Sequence, residues 1–106
     1  MKNECNKLLP KKRRKRQELS EEELGHLCKA LGHPARVRLL RILIEKGECI
    51  SGDLAEEFSL AQSTVSEHLR ILKEAGFVQG TIDGPKRSYC INGEILNEFK
   101  KMVDSI

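Results

Sequence analysis

The chain has 106 residues, three Phe, one Tyr, no Trp and a net charge of +3. That length supports one domain with a modest core. No apolar run is long enough to span a membrane and no apolar signal region follows Met1, so the expected location is the cytoplasm.

The charge is unevenly spread. Residues 1–19 carry eight Lys or Arg and two Glu, a net +6, whereas residues 20–106 carry 11 basic and 14 acidic residues, a net −3. Residues 1–19 therefore read as a mobile basic arm: they show no periodicity, contain Pro10, and include the six-residue run Lys11 to Arg16, whose like charges repel. Such an arm suits a polyanion, because binding releases counterions. The bland reading is a solubilising tail, and in a eukaryote the same run would serve nuclear import.

Residues 20–106 read as the folded domain. Ser20-Glu21-Glu22-Glu23 fits a capping box, so a first helix starts there. Leu24, Leu27, Cys28 and Leu31 follow at helical spacing and predict one buried stripe that includes Cys28. Gly32 ends it. Pro34 then stands at the first position of a second helix, where its missing amide proton costs nothing. Val37, Leu39, Leu40, Ile42, Leu43 and Ile44 make that helix apolar nearly all round, which predicts the central core helix, stopped by Gly47.

Ile50 to Ala75 predicts two helices joined by a tight turn. The first covers roughly residues 51–58, with Leu54, Ala55 and Phe58 on one face. The second runs from Gln62 to Ala75, with Val65, Leu69 and Leu72 facing inward and Gln62, Ser63, Thr64, Ser66, Glu67, His68, Arg70 and Lys73 facing outward. A short inner helix followed by a longer polar-faced one is the helix-turn-helix pattern, whose second helix enters the major groove of DNA. Gln can bond adenine edges, Ser and Thr serve bases or phosphates, and Arg and Lys bind phosphate or guanine. An ordinary solvated face would favour stronger helix formers than the hydroxyl residues at this start.

Gly76 closes the recognition helix. Phe77–Ile82 and Arg87–Ile91 read as strands about the turn Asp83-Gly84-Pro85-Lys86, a β-hairpin with Lys86 and Arg87 at its tip. A basic hairpin after a recognition helix is the wing of a winged helix. Asn92 caps a last helix, about Gly93 to Asp104, with Ile95, Phe99, Met102, Val103 and Ile106 as its stripe. The expected fold is mainly α with a small β-hairpin, a winged helix-turn-helix. Its terminal helices offer apolar stripes for a homodimer. Two-fold symmetry would set the recognition helices about 34 Å apart on an inverted-repeat operator of double-stranded DNA.

Lys29–Leu43, Gly52–Val78 and the wing through Gly84–Asn92 resemble the ArsR/SmtB winged-helix repressors, on the pattern ALGHPARVRLL and the recognition-helix run STVSEHL. The resemblance implies a homodimer that leaves its operator when an effector binds. It implies DNA-reading roles for Gln62, Ser63, Thr64, Ser66 and His68, with Lys86 and Arg87 in the wing; Arg70 joins them as a phosphate contact. Ala61 departs from the family, which often has a capping Ser there. His68 reads as a DNA contact rather than a metal ligand or a buried structural histidine. His26 and His33 have no partners at ligand spacing and read as structural or exposed.

The four cysteines, Cys5, Cys28, Cys49 and Cys90, include no C-x-x-C pair, so a structural zinc site is not expected and the thiols read as free. Cys28 and Cys90 read as packing residues, Cys90 with part of its surface open. Family sensors of arsenite, cadmium or lead carry a cysteine pair at the start of the inner helix, and some add cysteines from the arm. Here Cys49 alone stands near that position. By the resemblance, Cys5, Cys49 and Cys90 are the candidate thiolate ligands for a soft ion. Thiol oxidation or persulfide sensing is the alternative. The family's other metal site needs His on the last helix, and none occurs from Glu94 to Ile106. A winged-helix module that binds protein instead of DNA is a further alternative. An enzyme is not expected, since no nucleophile–base pair, phosphate loop or carboxylate pair is recognisable.

Overall fold

A computed structural model of the chain describes residues 19–47, 50–51, 60–82 and 88–106. The expected arm through residue 18, most of the expected helix over 51–58, and the hairpin turn with Lys86 and Arg87 lie outside the described residues, as do Cys5 and Cys49.

Helix α1 (Glu21–Ala30) starts at a complete capping box. Ser20 Oγ accepts from the Glu23 amide at 3.1 Å, and the Ser20 amide donates back to Glu23 Oε1 at 2.8 Å. Helix α2 (Pro34–Lys46) is capped by His33, whose Nδ1 accepts from the Ala35 amide at 3.0 Å. It ends at Gly47, whose φ of 70° is the left-handed conformation that a side chain disfavours. Strand β1 (Ile50–Ser51) follows. Helix α3 (Gln62–Ala75) ends at Gly76, and its N-terminal neighbour Ala61 makes no side-chain cap, as its composition requires. Strands β2 (Val78–Thr81) and β3 (Ser88–Ile91) form the hairpin. Helix α4 (Gly93–Asp104) opens with Asn92 accepting from the Ile95 amide.

The sheet has three antiparallel strands in the order β1-β3-β2. Ile50 pairs with Tyr89 and Ser51 with Ser88 on one side of β3; Val78 pairs with Ile91 and Gln79 with Cys90 on the other. The strand at Ile50–Ser51 corrects the expectation that a helix begins at residue 51. Two residues carry too little periodicity to declare a strand, and the pairing with β3 decides it.

The core gathers Leu27 and Ala30 of α1, Leu39, Leu40 and Leu43 of α2, and Val65, Leu69 and Leu72 of α3, with Phe77, Val78, Tyr89 and Leu96 closing it. Phe77 and Phe99 meet edge to face, centroids 5.1 Å apart. Leu19, assigned above to the arm, is buried in this core.

Three expectations about helix faces need correction. Cys28 is exposed rather than buried, because α1 covers the core only with the arc of Leu27 and Ala30. Val37 and Ile44 of α2 are exposed, so that helix buries one side and not its whole circumference. On α4, Ile95, Leu96 and Phe99 pack inward, while Val103 and Ile106 stay open at 44% and 91% exposure.

Candidate DNA-binding surface

The N-terminal half of α3 presents Ser63, Thr64 and Glu67 to solvent. They lie opposite Val65, Leu69 and Leu72, which anchor the helix in the core. Gln62 is half-buried, and its Nε2 donates to Ser66 Oγ at 3.1 Å. Arg70 pairs with Glu67 along the same exposed face. Lys73 is directed elsewhere: its Nζ donates to the Gly80 carbonyl and ties the end of α3 to strand β2.

Ser66 and His68 do not share the outward face. They are 8% and 9% exposed. The His68 ring lies against that of His33, centroids 4.6 Å apart, and the Arg36 guanidinium reaches its Nδ1 at 3.2 Å. Arg36 can only donate, so Nδ1 is the acceptor and the ring is neutral with its proton on Nε2. Arg36 Nε also donates to the Ala30 carbonyl at 2.6 Å. One arginine thus links the end of α1, the start of α2 and the middle of α3. Burial above all, and then the neighbouring His33 and Arg36, hold the His68 pKa below the ordinary histidine value, with Glu67 acting weakly the other way. His68, expected as a DNA contact, is thus packed against His33 and Arg36 rather than turned outward with Ser63 and Thr64. The signal for this was its spacing, three residues after Val65 and four before Leu72, which puts it at the edge of the inward arc. Arg36 and His33, unassigned by the sequence reading, are the partners that satisfy it.

Of the candidate thiolates only Cys90 is described. It is half-buried on β3 and joined in a disulfide. This corrects the expectation of a free packing thiol. Among the described residues no group of three or more His, Cys, Asp or Glu could hold a metal ion, and no helix is long and apolar enough to cross a membrane.

Residues 33–79, from the His33 cap through α3 to Gln79, match the family described as bacterial regulatory protein, arsR family. A helix-turn-helix transcriptional regulator of Methanocaldococcus jannaschii is 34% identical over 85 residues, covering 80% of this chain and 96% of that one. The chain belongs to the arsR family. The arsenical resistance operon repressor of Staphylococcus xylosus is 33% identical over 88 residues, with 83% and 84% of the two chains covered. Among solved arsR-family structures, a possible transcriptional regulator for arsenical resistance superposes with a TM-score of 0.63 at 32% identity, covering 76% of this chain and 81% of that one. The fold is the winged helix-turn-helix of the arsR regulators, and the chain is a DNA-binding regulator of transcription and not an enzyme.

Proposed function

We propose that this arsR-family regulator is a repressor that occupies an inverted-repeat operator as a homodimer and leaves it when an effector reacts with its thiols. The observation that carries the reading is the outward face of α3: Ser63 and Thr64 stand exposed on a helix whose other side is locked into the core. Gln62, Ser63 and Thr64 would meet base edges, and Arg70, released from Glu67, would meet phosphate. Lys86 and Arg87 in the wing, and the basic arm over residues 1–19, would add backbone contacts. Ser66 and His68 support the reading surface from behind. The open apolar end of α4, with Val103 and Ile106, suits a second copy. The place of action is the cytoplasm.

The effector class is a thiophilic ion, arsenite, cadmium or lead, held by cysteine thiolates. Support comes from the similarity to an arsenical resistance operon repressor and from the preference of soft ions for sulfur. A second reading, release by thiol oxidation, is favoured by the oxidised state of Cys90. Release follows if the effector favours a dimer geometry in which the recognition helices no longer fit the groove spacing.

The test is a gel-shift titration of the reduced protein on its own upstream DNA. Arsenite, cadmium, lead and peroxide are then added in turn. Replacing both Ser63 and Thr64 by Ala is expected to lower operator affinity about tenfold or more, since a good base contact contributes about 1–3 kcal/mol. Release by an ion alone selects the first effector reading and release by peroxide alone the second. Failure to bind duplex DNA at low salt would overturn the repressor reading.

A further inference from the structure

Between α1, the start of α2, the end of α3 and the start of α4 lies a cavity of about 610 Å³. Leu27 and Ala30 of α1, Ile71 and Ala75 of α3, and Ile95 of α4 wall it with hydrocarbon. The repressor reading above makes no use of it. Small-molecule sites occupy about 300–1,000 Å³ and are mostly apolar, with a few polar groups that fix the ligand's orientation.

The charged residues that line the cavity separate by depth. Lys29 and Glu74 are exposed, and so is Glu23, whose Oε1 already accepts from the Ser20 amide. Their opposed charges meet water and are screened by salt. Among the charged residues lining the cavity, Arg36 alone is half-buried. Its Nε donates to the Ala30 carbonyl and its Nη1 to His68 Nδ1, and a guanidinium has more N–H donors than these two contacts use. The inner polar group is thus a cation with a planar fork of donors, the arrangement that matches a carboxylate. The apolar walls select the rest of the ligand. An inorganic anion leaves them empty, and a second charge on the ligand would be set against hydrocarbon.

We propose that this cavity is a binding site for an amphipathic organic monocarboxylate, its carboxylate on Arg36 and its apolar body against Leu27, Ile71 and Ile95, and that its occupant acts on the recognition helix through Arg36. A carboxylate seated there competes with the Ala30 carbonyl and His68 Nδ1 for one guanidinium. Those are the contacts that tie α3 to α1 and α2. Ile71 and Ala75 belong to α3 itself, so the ligand also packs directly on that helix. The site is separate from the thiols and adds a second effector class. Its regulatory meaning rests on the repressor reading, whereas binding is testable without DNA.

The experiment is a titration of the full chain followed by amide and imidazole NMR. Octanoate is the probe, with octan-1-ol and octylammonium as its neutral and cationic counterparts. Octanoate is expected to bind saturably with a Kd on the order of 0.1–1 mM, as its size allows. Shifts should concentrate at the amides of Ala30, Ile71, Ala75 and Ile95, and the His68 ring should move with the same midpoint. Octan-1-ol is expected to bind about tenfold more weakly, for want of a charged acceptor, and octylammonium more weakly still. Arg36→Lys keeps the charge and loses the fork. It should weaken octanoate about threefold or more and leave octan-1-ol unchanged, a split that a merely loosened fold would not produce. Lys29→Gln, at the exposed rim, should change octanoate binding less than about twofold. Equal binding of the three probes, preference for octylammonium, or shifts centred elsewhere would overturn the ligand assignment. So would shifts at these residues that follow protein concentration and not octanoate, which would show a second copy filling the cavity. A His68 ring unmoved at saturation would overturn the link to α3. Saturating octanoate is expected to lower operator affinity about fivefold or more. A protein that binds octanoate but no duplex DNA would overturn the repressor reading and leave the site standing.

Discussion

Two regions hold the recognition helix, and they do so by different chemistry. On one side the His33–Arg36–His68 cluster ties α3 to α1 and α2 through directed polar contacts in a partly buried place. On the other, the sheet meets α3 through Lys73 on the Gly80 carbonyl and through the backbone approach of β2 to β3. The first region is sensitive to charge, since the His68 pKa is lowered by burial and by its neighbours. The second is sensitive to volume, because backbone faces backbone, and is indifferent to the protonation of histidine.

The largest effect is expected on the sheet side. Gly80 has φ 119°, and a Cβ there would stand 2.2 Å from the Ser88 carbonyl oxygen and 2.9 Å from Tyr89 Cα. Neither neighbour is a flexible side-chain end. Gly80→Ala is expected to cost about 3 kcal/mol or more, or to prevent folding of the wing, read by urea denaturation. An ordinary stability there would remove the contrast drawn between the two regions.

Arg36→Ala breaks the polar side. It leaves His68 Nδ1 and the Ala30 carbonyl without their donor in a partly buried place. A loss of about 2 kcal/mol is expected from the same denaturation measurement.

The pH dependence comes next, and its sign follows from His68. Its folded pKa lies below the unfolded value, so the unfolded chain takes up a proton first as pH falls. Stability conferred by the neutral ring is complete above the unfolded value, near 6.5, and is lost as pH falls through that value towards the folded one. Denaturation midpoints from pH 7.5 to 5.5 should fall more steeply for the wild type than for His68→Gln. Equal slopes would show that another group controls this window.

The smallest effect is a gain. Ala61 leaves the first amides of α3 without a side-chain acceptor. Ala61→Ser is expected to add about 0.5–1 kcal/mol in the same unfolding titration. Because the change acts at the helix end next to Ser63 and Thr64, it also sharpens the comparison: stability should rise while the pH slope set by His68 stays unchanged.

What was legible beforehand was mostly local. The capping box at Ser20, Pro34 in the first turn of α2, the left-handed Gly47 and Gly76, and the Val65–Leu69–Leu72 stripe each depend on a few neighbouring residues, and each occurs in the structure where the sequence put it. Ser66 and His68 read as outward with the other polar residues of α3 and, by the resemblance, as DNA contacts, whereas both are buried. A helix buries an arc and not a residue type, and a polar side chain within that arc is buried when a partner is supplied from elsewhere.

The sequence by itself determined the limits of α1, α2, α3 and α4 and the two strands of the hairpin, because caps, glycine conformations and apolar spacing act within a turn or two of chain. Only the tertiary structure decided that α1 turns Cys28 outward, that Arg36 crosses from Ala30 to His68, and that β1 lies against β3 with Tyr89 inward and Cys90 outward. Those outcomes depend on which distant segments meet. Such meetings are settled by the packing of the whole core, which brings His33 and Arg36 against His68 and holds its pKa below the ordinary value.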